Sequence, residues 1–297
     1  MSIHIETVRC SPAAKGVFSI VIPTWNNLPY LKLCIDSIRK NSSLNNQIIV
    51  HVNEGKDGTL DWLKDQPDVD YTYSEKNVGI CYALNYCRQL MATDYLLYIN
   101  DDMYVCPGWD KHLYDEIQAI GHKNFFLSAT QFEPESQNPC CICVNYGTSI
   151  ETFREADFLK EYDSYEKKDW QGSSWPPNVV HKDTWDLVGG YSIEFSPGMS
   201  SDPDFSMKLW KLGVRIHKGI SKSRVYHFAG KSTGRIKKND GYYMFINKWG
   251  MSTRIFQRNY LRLGEVYQGP AQEPETSFLL KARNLYKRLN AAFHKKV

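Results

Sequence analysis

Along this chain short apolar runs alternate with helical periods, and the alternation predicts an α/β series. Val17 to Ile22 is the first apolar run and stops at Pro23; Gln47 to Val52, Val69 to Tyr73 and Tyr95 to Ile99 follow. After the first run, Leu28, Leu31, Cys34, Ile35 and Ile38 share one face of a 3.6-residue period, and Pro29 suits a helix's first turn. A short helix is predicted around Thr59 to Lys64. A longer one runs from Ile80 to about Met91, with Ala83, Leu84, Cys87 and Leu90 or Met91 as its inner stripe. The result is a βαβαβαβ series with the spacing of right-handed crossovers between parallel strands, so the strand ends bearing Thr24, Asn53 and Asp101 open on one side. Tyr95 to Ile99 shows no alternation, the mark of a central strand covered on both faces.

Beyond it, Pro107 begins a helix over Gly108 to Ile120, closed by Gly121, and Asn124 to Thr130 reads as a strand. Residues 131–180 are polar, aromatic and rich in turns. Within them Arg154 to Trp170 carries many charges and no clean stripe, so we read a surface excursion. Val179 to Asp183 and Trp185 to Tyr191 resume ordered structure, with Gly189-Gly190 as a turn. Asp202-Pro203 reads as a helix start with Asp202 as cap, Phe205 to Leu212 as the apolar face and Gly213 as the stop. Two short strands are predicted at Val214–Ile216 and Arg224–Phe228, then helices near Asp240–Trp249 and Thr253–Leu263 and a linker over 264–275.

Composition narrows the class. With 297 residues and 42% apolar content the chain can build a full core, as one large α/β domain or a domain with an appendage. A net charge of +3 gives no footing for nucleic acid as a partner. Cys34, Cys81 and Cys87 lie in apolar patterns and read as small buried hydrophobes. Cys140-Cys141-Ile142-Cys143 matches the usual zinc spacing poorly. With no signal-like run and no apolar stretch long enough for a bilayer, we expect a cytoplasmic location, peripheral at the inner membrane face on one reading of the tail. That tail, residues 277–297, sets Phe278, Leu279, Ala282, Leu285, Leu289 and Phe293 among six Lys/Arg and no acid. It reads either as a helix on an anionic membrane surface or as a docking helix with a solvated basic face.

Asn100-Asp101-Asp102 ends the central strand, where open α/β sheets place their sites, and paired carboxylates there suit a hard cation carrying phosphate oxygens. An acidic turn that merely starts a loop is the plain alternative. Other stretches converge with it. Phe18-Ser-Ile-Val-Ile-Pro-Thr-Trp-Asn-Asn27 resembles the first strand and loop of family 2 glycosyltransferases, whose fold is called GT-A. Lys76-Asn-Val-Gly79 with Ala83-Leu-Asn85 resembles their Asn-x-Gly…Ala-x-Asn segment, and Asn100-Asp101-Asp102 is similar to their Asp-x-Asp position. Val188-Gly189-Gly190 resembles their Val-Gly-Gly-Phe turn. Asp202-Pro203-Asp204-Phe205 through Gly213 resembles the stretch with the catalytic carboxylate, and Val225-Tyr226-His227-Phe228 the strand with a late histidine. The resemblance covers roughly residues 17–230.

It implies a mostly parallel central sheet flanked by helices, Rossmann-like in its nucleotide-binding half. It divides the chain into a lead-in (1–16), a nucleotide-sugar half (17–130), an acceptor and catalytic half (131–230) and a helical, basic extension (231–297). The implied activity is metal-dependent, inverting transfer from a nucleoside-diphosphate sugar (UDP, GDP or dTDP) to a glycan or lipid-linked glycan. Asp102 would hold Mn²⁺ or Mg²⁺ with His227 near the metal or diphosphate, and Asp101 would support the metal or the sugar. Thr24, Asn26 and Asn27 would lie under the nucleotide, Asn53 and Glu54 at base and ribose, and Asn77 and Gly79 would complete the nucleotide loop. Asp202 would face the acceptor hydroxyl as general base. Ser201 stands where the family has glutamate, which opens that role to Asp204 as well, and Asn53 replaces a usual aspartate.

The chemistry is coherent without the family. A cation neutralises charge on the leaving diphosphate, and a carboxylate across the sugar ring takes the acceptor's proton, which with one base implies inversion. Trp175, Trp185 and Trp210 offer candidates for a surface on which an acceptor sugar stacks, and each residue has a plainer role: Asp202 as an N-cap, His227 as a satisfied strand histidine, and the three tryptophans as core, with only Trp175, beside two prolines, loop-borne. Lys231, Arg235 and Lys237 read as phosphate contacts or a solvated loop. The rival readings are a nucleotidyltransferase acting on sugar phosphates, disfavoured by Pro23-Thr-Trp-Asn-Asn27 in place of a glycine-rich basic loop, and a non-catalytic carbohydrate-binding or assembly subunit.

Overall fold

The computed structural model describes residues 4–10, 16–228, 239–275 and 277–294. The strands are β1 (Glu6–Val8), β2 (Phe18–Trp25), β3 (Gln47–Asn53), β4 (Val69–Ser74), β5 (Tyr95–Tyr98), β6 (Met103–Val105), β7 (Phe125–Glu133), β8 (Ile142–Cys143), β9 (Trp170–Gln171), β10 (Asn178–His181) and β11 (Ile216–His227). The helices are α1 (Leu28–Asn41), α2 (Thr59–Lys64), α3 (Ile80–Cys87), α4 (Trp109–Ile120), α5 (Glu155–Glu161), α6 (Lys182–Val188), α7 (Ser201–Leu212), α8 (Gly241–Trp249), α9 (Thr253–Ile255, continued by a π-turn to Tyr260) and α10 (Phe278–Ala292). One sheet takes the order β1-β4-β3-β2-β5-β10-β7-β11-β6, with β8 beside β7 and β9 beside β11.

The α/β class read from the sequence holds: a central sheet carries helices on both faces. Strands β2 to β5 pair in parallel through right-handed crossovers. Their unbroken apolar runs follow from burial on both sides, since Ile20 and Ile22 enter the core under α1 and α4 while Val21 enters the one under α3 and α7. Cys34, Cys81 and Cys87 are buried in these cores as small hydrophobes. Away from this series the sheet is mixed. β10 enters antiparallel between β5 and β7, and β11 runs parallel to β7 but antiparallel to β6.

Several local expectations are corrected. The lead-in contains β1, which pairs antiparallel with β4. The two short strands after Gly213 are one, β11, because a register shift between Ile220 and Arg224 lets it pass a polar stretch. Arg154 to Trp170 is more than a surface excursion: Phe158 is buried with Phe132, Tyr146, Tyr104, Tyr226 and Phe228 in a third, aromatic core, against which Tyr162 and Tyr165 pack. The helix bearing Asp202 starts two residues earlier, at Ser201, and its boundary residue is Ser200 in the left-handed region (φ 65°), so Asp202 does not cap it.

Candidate functional site

Chain connectivity gathers the site. β5 and β6 are consecutive in sequence yet four places apart in the sheet, so residues 99–102 link strands at distant positions. On the way Asp101 meets the end of β2, where the Thr24 hydroxyl donates to Asp101 Oδ2 at 2.6 Å. Asp102 meets the end of β11, with its Oδ1 3.3 Å from His227 Nε2. The other imidazole nitrogen, Nδ1, lies 2.7 Å from Glu133 Oε1 on β7. Burial would push the His227 pKa down, but the flanking Asp102 and Glu133 carboxylates outweigh it and raise it to about 10. Glu133 is held below the usual carboxylate range, because the bond from His227 overcomes its own burial.

A cleft of about 390 Å³ opens beside this array. Its lining includes Thr24, Asn53, Asn77, Gly79 and Asp101 together with Trp175, Pro176, Gly198, Met199 and Asp202. Asn53 ties the first of these together: its amide nitrogen donates to the Thr24 carbonyl and its Oδ1 accepts from Val78 N. Asn77 Oδ1 accepts from Gly79 N, and Gly79 (φ 78°) lies so close to the facing loop that a Cβ there would sit 2.5 Å from Pro197 Cα. Only glycine meets both demands. Asn26 and Glu54 do not line the cleft; they bond each other at 3.3 Å from two left-handed residues. The Asn27 side chain is buried, also away from the lining.

Asp202 sits in the first turn of α7 and lines the same cleft. Tyr191 Oη donates to its Oδ1 at 2.9 Å. Burial pushes its pKa up to about 7, against the downward pull of that bond, which places proton uptake near neutrality. Tyr191 is itself fixed: its ring stacks on Phe205 at 4.7 Å, and both its backbone polar groups are bonded by the Asn85 amide at 2.8 Å. Gly190 leaves room for that clamp, since a Cβ there would lie 2.3 Å from Asn85 Oδ1. The two segments singled out by resemblance, Ala83-Leu-Asn85 and Val188-Gly189-Gly190, thus meet in one contact that orients Asp202.

Asp204 is placed elsewhere. It is fully buried, bonded by Ser192 Oγ at 2.6 Å and Trp249 Nε1 at 2.8 Å, with Lys248 Nζ at 3.0 Å, and is absent from the cleft lining. Among the described residues, three of the four non-glycine residues with positive φ, Asn26, Glu54 and Ser200, adjoin this region. Such conformations cost about 1–3 kcal/mol each and persist where the surroundings enforce them. Trp185 and Trp210 are core while Trp175 reaches the cleft, as its loop position implied. Sequence reasoning missed Gln131, Glu133, Asn138 and the role of Tyr191. The first two became visible only when β7 ran three residues past Thr130. Lys231, Arg235 and Lys237 lie outside the described residues.

Residues 19–138 match the sequence model of Glycosyl transferase family 2. No curated protein matches the chain by sequence. Among solved structures, the fold is similar to that of S. aureus TarS, with a TM-score of 0.56 at 12% identity over 93% of this chain and 43% of that one. It is also similar to S. aureus TarS 1-349 in complex with UDP (TM-score 0.57, 14% identity) and with UDP-GlcNAc (0.57, 15%), each over 93% of this chain and 72% of the other. The chain therefore spans less than half of the longer TarS chain, and identities this low speak for a shared fold alone.

Proposed function

Given a family 2 glycosyltransferase segment over residues 19–138, we propose that this chain moves a sugar from a nucleoside-diphosphate sugar to a glycan acceptor, free or lipid-linked, with inversion. The observation that carries the reading is the cleft itself. Thr24, Asn53 and Asp101, the residues proposed for the nucleotide, line the same cleft as a carboxyl, Asp202, whose pKa is pushed up to about 7. A base poised there takes the acceptor's proton efficiently near neutral pH, and attack from the Asp202 side displaces the diphosphate toward Asp101 and Asp102. Tyr191 and Asn85 hold the base in place, and Asp204 anchors α7 to α8. UDP-sugars are the first donors to test, in keeping with the UDP and UDP-GlcNAc complexes of the TarS structures.

A divalent cation suits the residues present. Asp102 Oδ1 would supply an oxygen and His227 Nε2, now 3.3 Å from it, a nitrogen once the cation displaces the proton that the two flanking carboxylates hold on the ring, and Glu133 at Nδ1 would orient that ring as carboxylates do for metal-bound histidines. Among the described residues no group of three His, Cys, Asp or Glu forms a ligand cage, so diphosphate oxygens would complete the shell, which favours Mn²⁺ or Mg²⁺. When bound, the ion would offset charge on the leaving diphosphate.

The test is a binding and hydrolysis screen of UDP-, GDP- and dTDP-sugars with Mn²⁺. We expect one donor to bind and to hydrolyse slowly, and D202N to bind that donor while losing turnover. Binding without turnover by wild type across acceptor glycans would favour an assembly subunit, and full turnover by D202N would remove the base.

A further inference from the structure

The C-terminal helix is built inside out relative to an ordinary surface helix. Ser277 caps α10, accepting from Leu280 N. The face turned to the body is sparse and polar: Leu280, Asn284, Lys287, Ala291 and His294 recur at helical spacing as the less exposed positions. Lys287 Nζ donates to Ser252 Oγ at 3.0 Å, and His294 stacks on Tyr243 at 3.6 Å. Of the whole helix, Ala291 alone is fully buried. The opposite face carries Phe278, Leu279, Leu285, Tyr286, Leu289 and Phe293, each between 53% and 83% exposed. At 100° per residue these six fall within about a third of the helix circumference. Exposed Lys281 and Arg288 flank the stripe on one side and Arg283 on the other.

We infer that α10 is a membrane-contact helix that lays this stripe into the interface of a bilayer containing anionic lipid. Charge selects the occupant. Residues 277–297 hold six Lys/Arg and no acid, while the remainder of the chain has more acidic than basic residues despite the net charge of +3. This end therefore concentrates positive charge that the rest of the chain lacks on average, as befits an interfacial helix with cations beside its apolar face. A second copy of the chain fits less well, because pairing two such stripes brings the flanking cations together. No described helix is long and apolar enough to cross a membrane, so contact is peripheral. The location also bears on the acceptor, and here the inference leans on the transfer reading. α10 rests on α8, and Gly241 of α8 packs against the Met199 carbonyl at the cleft wall. A lipid-borne acceptor would thus meet the cleft on its Asp202 side.

The test is co-sedimentation of the full chain with vesicles of phosphatidylcholine alone or with 30% phosphatidylglycerol. We expect at least tenfold tighter binding to the anionic vesicles, falling steeply with salt, and at least tenfold loss in L285D/L289D. The altered side chains face outward, so donor binding and melting temperature should be unchanged and would report any misfolding. Separately, F293W should shift its emission to the blue with vesicles. Equal sedimentation of wild type and L285D/L289D overturns the inference. So does concentration-dependent dimerisation, abolished by the same substitutions, without vesicle binding. Because the readout is partition rather than turnover, the inference and the transferase reading can fail independently.

Discussion

Replacing Asp202 by asparagine is expected to abolish transfer and, above neutral pH, to stabilise the fold. Burial raises the Asp202 carboxyl from 3.8 to about 7. At about 1.4 kcal/mol per pH unit, that shift costs the folded state on the order of 4 kcal/mol once the group is ionised in both states. The folded state holds the proton more tightly than the unfolded chain. The penalty is therefore absent below about pH 4, grows as the pH rises toward 7, and is constant above it. Asparagine cannot ionise and keeps an oxygen to accept from Tyr191. The D202N difference should be near zero at pH 4 and about 2–4 kcal/mol at pH 8.5, the lower end allowing for solvent in the cleft. With an unfolding entropy of roughly 0.6 kcal/mol/K for a chain this size, the melting temperature rises by about 3–6 °C. Thermal melts at pH 4.5, 6.0, 7.5 and 8.5 should be paired with turnover in the same buffers, where wild-type activity climbs through about pH 7. Equal melting at pH 8.5, or flat wild-type activity from pH 5.5 to 8.5, would refute the argument.

Tyr191→Phe removes the bond that favours the Asp202 carboxylate, so the acidic limb of the activity profile should move up by about one pH unit while donor affinity is kept; an unmoved limb denies Tyr191 its role. Asn85→Ala should cost about 1–3 kcal/mol in urea unfolding by leaving the Tyr191 backbone groups without their partner. Gly79→Ala meets both a positive φ and the Pro197 backbone, and calorimetry should find donor binding weakened at least tenfold. Asp102→Ala should abolish the Mn²⁺-dependent part of donor binding, whereas unchanged Mn²⁺ dependence would place the ion elsewhere.

Legibility followed how local each contact is. β3 to β5 and α2 lie close to where the sequence puts them, because two-sided burial leaves plain apolar runs and Thr59 to Lys64 is bounded by its own turn residues, whereas β2 runs through its expected stop at Pro23 and stays paired with β3 as far as Trp25. β11 was hidden by Lys218, Ser221, Lys222 and Arg224, charged and polar residues inside a strand. Arg224 is nevertheless buried, bonding the Tyr165 carbonyl at 2.7 Å, and Lys218 pairs with Glu116 and Asp169. The aromatic core joins Phe132, Phe158 and Tyr226 across nearly a hundred residues, a distance at which no periodicity survives. At the site, Asp101, Asp102, Asp202 and His227 could be named because they fall at element ends. Glu133 and Tyr191 act through partners 94 and 11 residues away, and nothing in their own neighbourhoods announces it.

β10 has a practical consequence for anyone wishing to exchange specificities. This four-residue strand is hydrogen-bonded to β5, at the end of the parallel series, through Asn178–His181 and, at Asn178 and Val179, to β7 as well. A chimera that grafts a foreign acceptor region onto residues 17–130 must bring a strand able to zip into the groove between these two. Fusion points drawn from linear sequence would sever the seam on which both parents depend. Swapping the loops at Asn138 and Gly198–Met199, which line the cleft and lie outside the paired residues of β10, is the more promising route to a new acceptor under the proposed function.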